Sequence, residues 1–302
     1  MPTSTPDLWS GGAAYERYMG RWSRKIASQF VAWIKAEPGT AWLDIGCGTA
    51  ELTKAVIDGG APSRVVGIDA SAAFLQVAAA QVADSRAEFK QGDAQSLPED
   101  DDAFAVAVSG LVLNFIPDKK AALKEMVRVV EPGGIVGLYV WDYAGHMQVM
   151  RHFFDVATAL DPRASEFDDG VKAPICRPDP LANLFSQAGL RNVAVQAIDI
   201  PTAFESFDGY WSPFLGATGS APKYCMSLTE KHASSLTMLY EGAFRRDRMG
   251  KSCSRRGLGR PKDGWPAEDV LAAPESQDAS DSFRIVCSGA DIGLAAPVVE
   301  KR

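Results

Sequence analysis

The chain has 302 residues, 46% hydrophobic and 23% charged, with a formal net charge of -7. That suits a soluble globular protein with a sizeable core. The acidic balance argues against general binding to nucleic acid phosphates or anionic membranes, both of which need clustered Lys and Arg. Five scattered cysteines without a C-x-x-C pair, and three histidines that do not join them at ligand spacing, predict reduced thiols, a cytoplasmic protein and no metal site. No apolar run nears the roughly 20 residues of a membrane span, and Met1–Pro6 lacks the basic-then-apolar pattern of a secretory signal.

After a short flexible lead, Tyr15, Tyr18, Trp22, Ile26 and Phe30 recur at three- or four-residue spacing and predict an amphipathic helix. Its aromatic and polar groups, Tyr15 and Arg21 among them, suit a helical lid (residues 1–36) over a ligand. Ala41-Trp42-Leu43-Asp44-Ile45-Gly46-Cys47-Gly48-Thr49-Ala50-Glu51-Leu52-Thr53 then reads as a buried strand, a glycine turn and a helix start, the place where α/β domains bind nucleotide-like ligands. A dinucleotide fingerprint requires glycine where Glu51 stands, and pyrophosphate would be repelled by Glu51 and Asp44. Ammonium and sulfonium charges would be attracted instead, which points to S-adenosylmethionine (SAM) rather than NAD.

The second strand, Arg64–Asp69, ends in an acid placed to accept hydrogen bonds from both ribose hydroxyls, with Ala70-Ser71 opening the next helix. A third strand, Ala87–Lys90, leads to Asp93 and Ala94, where a carboxylate can accept from an adenine amine. The fourth strand, Phe104–Ser109, is apolar on both faces, as parallel strands under helices are, and puts Ser109 at the ligand-binding edge. Asp118 caps a helix that stops at Glu131-Pro132-Gly133-Gly134, and a fifth strand, Ile135–Trp141, ends at Asp142. Alternation lapses over about 143–177, which reads as an inserted cap; a helix from Asp179 to a Gly189 stop and a sixth strand, Val193–Ile198, follow. Residues 201–242, rich in aromatics, read as a further cap or substrate region.

Four motifs together resemble the class I SAM-dependent methyltransferases, in particular their small-molecule branch. They are Leu43–Thr49, Gly67-Ile68-Asp69, Gly92-Asp93-Ala94 and Val129–Gly134, in the family's order and spacing. The resemblance covers about residues 12–200. It implies a doubly wound, mostly parallel seven-stranded α/β sheet with helical cap insertions, SAM as cofactor, and a small-molecule methyl acceptor. It implies cofactor contacts from Asp44, Gly46, Gly48, Asp69 and Asp93, to which Cys47, Ala70, Ala94, Ser109, Tyr15 and Arg21 are added as candidates beside those motifs. Ala50 departs from the family, which usually has a third glycine there. The last strand is the larger departure. Past about 242 the chain is basic, breaker-rich and then Ala/Asp/Glu/Ser/Pro-rich, which predicts a largely disordered or irregular tail (243–302), as from a shifted reading frame or an unrelated extension. Only Phe283–Cys287 offers a strand.

Methyl transfer from a sulfonium needs alignment and exclusion of water, and a base only where the acceptor must lose a proton. Asp142, Tyr143, His146 and His152, all after the fifth strand, are the groups at hand, and no spacing singles one out. Two other readings stand beside the enzyme: a catalytically silent SAM-binding or interaction protein, and an NAD-dependent oxidoreductase.

Overall fold

The computed structural model describes residues 19–202, 204–216, 219–249 and 282–291; of Arg21, 243–249 and 282–291 it describes the backbone. The chain divides into two compact units. One, the sheet unit, comprises 19–147, 173–200 and the strand from Phe283; the other, the helical unit, comprises 148–172 and the described part of 201–282.

The sheet unit opens with α1 (Arg21–Ile34), then β1 (Ala41–Ile45), α2 (Glu51–Gly59), β2 (Arg64–Asp69), α3 (Ala72–Gln81), β3 (Ala87–Gln91), β4 (Phe104–Gly110), α4 (Lys119–Val129) and β5 (Val130–Trp141). After the excursion into the helical unit it resumes with α7 (Pro178–Gln187) and β6 (Arg191–Pro201), and closes with β7 (Ser282–Asp291). The seven-stranded sheet has the order β3-β2-β1-β4-β5-β7-β6. The ladders joining β3 to β2, β2 to β1, β1 to β4 and β4 to β5 are parallel. β7 pairs antiparallel with β5, from Ile135 opposite Asp291 to Trp141 opposite Ile285.

Strand order reverses beside β1, so the carboxyl ends of β1 and β4 diverge to helices on opposite sides and leave a crevice there. The apolar runs of β1, β2 and β4 are buried on both faces, as covered parallel strands must be. α1 earns its helical form by an apolar stripe: Trp22, Ile26, Phe30 and Ile34 are all buried. Phe30 meets Tyr139 of β5 with ring centres 4.7 Å apart. Helix starts follow the sequence: Ser71 accepts from the Phe74 amide, and Asp118 from the Lys120 and Ala121 amides.

Several boundaries differ from the sequence reading; β6, for one, runs Arg191–Pro201 where Val193–Ile198 was expected. The helix does stop before the breaker, at Val129, but Glu131–Gly134 then belongs to the bulged first part of β5, with a register shift between Phe104 and Val106 on β4. Within the stretch expected to be irregular, 243–249 continue a helix that starts at Glu230, and Ser282–Asp291 is a strand, longer than the Phe283–Cys287 segment singled out. The residues between them lie outside the described ones, so that part of the expectation stands where it was.

The helical unit contains α5 (Gln148–Leu160), α6 (Asp169–Lys172), α8 (Phe207–Trp211), α9 (Ser220–Ser227) and α10 (Glu230–Met249). Its centre is Phe153, stacked on Phe214 at 4.8 Å and Tyr240 at 5.6 Å, with the Tyr240 hydroxyl donating to the Phe153 carbonyl. Arg151 and Asp168 form a largely buried ion pair, and Asp168 also accepts from the Gly170 amide at 2.8 Å. Among the described residues, no helix is long and apolar enough to cross a membrane.

Candidate active site

Three acids stand at the carboxyl ends of three neighbouring strands. Asp44 is the fourth residue of β1, Asp69 the last of β2, and Asp93 lies two residues beyond β3. The connection after β1 is a tight turn: the Gly46 and Cys47 amides both donate to the Ile68 carbonyl, at 2.7 and 3.0 Å, which ties the turn to the end of β2. Gly46 has φ +72° and Gly48 has φ +53°, a region where a side chain is strained. A Cβ on Gly46 would also lie 2.6 Å from Val112, so this turn has no room for one. Ala50 follows at φ +72° and ψ +27°, in the left-handed region without being glycine, and forms the N-cap of α2.

Asp69 organises that turn. Its Oδ2 accepts from the Gly48 amide at 2.9 Å and its Oδ1 from the Ser71 amide at 2.8 Å. A carboxylate offers about four acceptor positions, so these two bonds fix its orientation without exhausting it. Asp93 is exposed, and its carboxylate accepts from both the backbone and side-chain amides of Gln95, the backbone contact at 2.8 Å. Ala70 is exposed and Ala94 half-buried beside these acids; the Ala70 carbonyl accepts from Gln91 Nε2 at 2.9 Å.

Asp44 is the anomaly of the sheet unit. Its exposure is 1%, and Thr53 Oγ1 donates to its Oδ2 at 2.7 Å. Its Oδ1 is buried and has no hydrogen-bond partner. Burial above all, with the negative charge of Asp69, pushes its carboxyl up to about 7, against the hydrogen bond from Thr53. Burial likewise pushes the Cys47 thiol up, helped by Asp44 and Asp69, so it stays protonated. Glu51 does not face bare solvent: Lys54 holds it at 3.1 Å and Arg24 at 3.9 Å.

Other sequence candidates fall apart spatially or chemically. Ser109 is buried at the crevice edge, but its hydroxyl donates to the Ile45 carbonyl at 2.8 Å and stitches β4 to β1. Asp142 is buried just past β5, where its two carboxylate oxygens accept from the Gly145 and His146 amides at 2.9 and 3.1 Å. It therefore fixes the loop after β5. His146 is exposed on that loop, while His152 is exposed on α5 in the other unit. Asp142, Ala144 and Gly145 line a cleft of about 470 Å³ with Arg177–Pro180 at the start of α7. Tyr15 lies outside the described residues, as does the side chain of Arg21. Among the described residues there is no group of three or more His, Cys, Asp or Glu able to hold a metal ion.

Sequence reasoning gave no role to Thr53, Val112 or Leu111. Thr53 closed the quoted motif, and its spacing from Asp44 was the available signal. Leu111, at φ +62° just past β4, donates its amide to the Tyr139 carbonyl at 2.8 Å, and strain in a bulky residue at this edge is invisible in a sequence.

An open, mostly parallel sheet with a glycine turn after β1 and acids capping β1 and β2 defines an α/β enzyme that binds a nucleoside-bearing cofactor at the strand switch point. Residues 43–138 match the methyltransferase domain family. The chain is 30% identical to a demethylmenaquinone methyltransferase of Staphylococcus carnosus, over 58% of its own length and 76% of that protein's. It is 33% identical to a demethylmenaquinone methyltransferase of Lysinibacillus sphaericus, over 63% and 85%. In fold it is similar to phosphoethanolamine N-methyltransferase 2 of Haemonchus contortus, solved with S-adenosyl-L-methionine, at a TM-score of 0.55, 14% identity, and coverage of 94% of this chain and 57% of that one. The chain belongs to the class I SAM-dependent methyltransferases; it is a small-molecule methyltransferase whose cofactor is SAM.

Proposed function

We propose that Asp44, Gly46, Gly48, Asp69 and Asp93 form the cofactor cradle and that the acceptor is a hydroxylated aromatic ring of the quinol class. The observation that carries the cradle is Asp44: a carboxylate oxygen buried without a partner beside Gly46, where a side chain would run into Val112. A buried polar group in that state asks for a ligand donor. The methionine ammonium of SAM supplies one of the right charge. Asp69, at the end of β2 and held still by the Gly48 and Ser71 amides, accepts from the ribose diol. Asp93 accepts from the adenine amine in place of the Gln95 side chain. Cys47, Ala70 and Ala94 lie beside these groups and shape the walls.

The acceptor class rests on the relatives, which are named as demethylmenaquinone methyltransferases. When bound, SAM supplies a methyl group on a sulfonium leaving group. The chain's own part is to hold the sulfonium in line with the acceptor and keep water out. Asp142 is committed to the loop that it caps, so it is not the base in this reading, and neither exposed histidine is assigned as one. Among the described residues Cys47, Cys176 and Cys225 are free thiols, which fits a cytoplasmic location.

Two measurements test this. Calorimetry with SAM, repeated on Asp69→Ala, is expected to show binding that weakens at least tenfold in the variant. Incubation with methyl-labelled SAM and a short-chain demethylmenaquinol is expected to label the ring product. A folded protein that binds SAM but labels no quinol would overturn the acceptor and leave the cofactor site in place.

A further inference from the structure

Thr53 stands outside the cofactor cradle described above, yet it touches it. It is fully buried on the first turn of α2, and its β-branched side chain has restricted χ1 freedom in a helix. A helical threonine hydroxyl commonly bonds back to its own helix. This one instead reaches across to Asp44 Oδ2 at 2.7 Å. It engages one end of the carboxylate and leaves Oδ1 bare.

Among the described residues, no cation pairs with Asp44. The end of β2 contributes Asp69, which is negative, and the turn contributes Cys47, whose thiol burial keeps neutral. β4 contributes Val108, opposite Asp44 in the ladder, and then Ser109, whose hydroxyl is given to Ile45. α2 contributes Thr53, and Glu51 with its partners Lys54 and Arg24. An isolated buried carboxylate in such a place is more stable protonated.

We propose that Thr53 is a positioning residue that fixes the Asp44 carboxyl group with its second oxygen bare for the cofactor's ammonium, and that SAM binding therefore releases one proton from Asp44. The proposal rests on the cofactor reading given above. The step balances: Asp44 carboxylic acid and the ammonium of SAM become an ion pair, and the carboxyl proton goes to solvent.

With Asp44 at about 7 in the free protein, the carboxyl is protonated below that pH and ionised above it. SAM affinity falls as pH drops through this range, approaching tenfold per pH unit on the acid side. The Thr53 hydrogen bond favours the ionised form, so its loss moves the inflection upward.

The test is calorimetry on the full chain from pH 5.5 to 8.5, with the proton count at pH 6 taken in phosphate and in imidazole, whose ionisation heats differ. At pH 6, SAM and S-adenosylhomocysteine are expected to release close to one proton each. 5′-Methylthioadenosine, which lacks the ammonium, is expected to release none. Thr53→Val should move the affinity inflection up by about one pH unit, while its affinity converges on the wild type above pH 8; Thr53→Ser should restore the wild-type profile. Heats that do not depend on buffer would overturn the proposal, as would equal proton release by methylthioadenosine or a pH-independent loss in Thr53→Val. No SAM binding by folded wild-type protein at any pH would instead overturn the cofactor reading beneath it.

Discussion

Asp44 and Asp168 are both buried acids, at 1% and 5% exposure, and the protein treats them in opposite ways. Asp168, in the helical unit, is answered by an opposite charge: the Arg151 guanidinium pairs with its Oδ1, and the Gly170 amide donates to the same oxygen. Asp44, in the sheet unit, is answered by half: Thr53 satisfies one oxygen, and the other has nothing. A completed pair fixes scaffold and has no affinity left for a ligand. An incomplete one costs stability and keeps its affinity for whatever completes it. Burial alone therefore does not mark the functional acid; the missing partner does.

The sharpest way to break this contrast is Asp44→Asn. A folded-state carboxyl raised from 3.8 to about 7 binds its proton more tightly than the unfolded chain does, so it stabilises the fold at low pH. That contribution is lost as pH rises through 4 to 7, and above 7 the ionised group leaves the free protein less stable by on the order of 4 kcal/mol. The amide does not titrate. Urea unfolding of Asp44→Asn without cofactor should thus show a stability advantage over wild type that grows from pH 4 to pH 7 and then levels off. SAM affinity at pH 8 should fall at least 100-fold in the same variant. A variant less stable than wild type at pH 8 would mean that Asp44 is a structural acid like Asp168.

Asp168→Ala is the mirror experiment. It strands Arg151, whose Nε is already buried without a hydrogen-bond partner, and should destabilise the fold by about 3 kcal/mol, the low end for a broken buried pair because 19% of the Arg151 side chain still reaches water. Replacing both partners by apolar residues of similar volume, Arg151→Met with Asp168→Leu, should recover most of that loss. Chemical denaturation of the three proteins decides it. If the double variant is as unstable as the single one, the pair does more than satisfy itself.

The two units were also unequally legible. In the sheet unit, β2 can be read to the residue and β1 to within one, because a strand buried on both faces is a continuous apolar run, and each here ends at a turn or an acid. The acids Asp44, Asp69 and Asp93 sit at strand ends for the same reason, so their grouping follows once the sheet is parallel. β7 was harder: its pairing with β5 runs through main-chain bonds from Ile285 to Asp291, which demand no particular side chains and leave little trace in sequence. The bulged start of β5 was hidden by a Pro-Gly-Gly signal that normally ends an element. In the helical unit, aromatics announce packing but not partners. Phe153 finds Phe214 and Tyr240 at separations that no periodicity encodes, and Arg151 meets Asp168 across seventeen positions. Thr53 was missed because a hydroxyl one turn into a helix has a bland default, its own backbone.

The smallest effect concerns the second local cost beside Asp44. Ala50 holds φ +72° at the start of α2, where its Cβ is strained by roughly 1–2 kcal/mol. Ala50→Gly removes that strain but loosens the unfolded chain, which returns about half of the gain. A net stabilisation of about 0.5–1 kcal/mol is expected, readable as a rise of a few degrees in Tm. Because the amides of the turn are already fixed by Ile68 and Asp69, the geometry offered to SAM should not change, and its Kd should stay within about twofold. The comparison then becomes quantitative. Strain at Ala50 can be relieved without touching the ligand, whereas the bare oxygen of Asp44 cannot be satisfied from within without losing it. An Ala50→Gly protein that gains stability but loses SAM affinity would place Ala50 with Asp44, as a cost retained for binding.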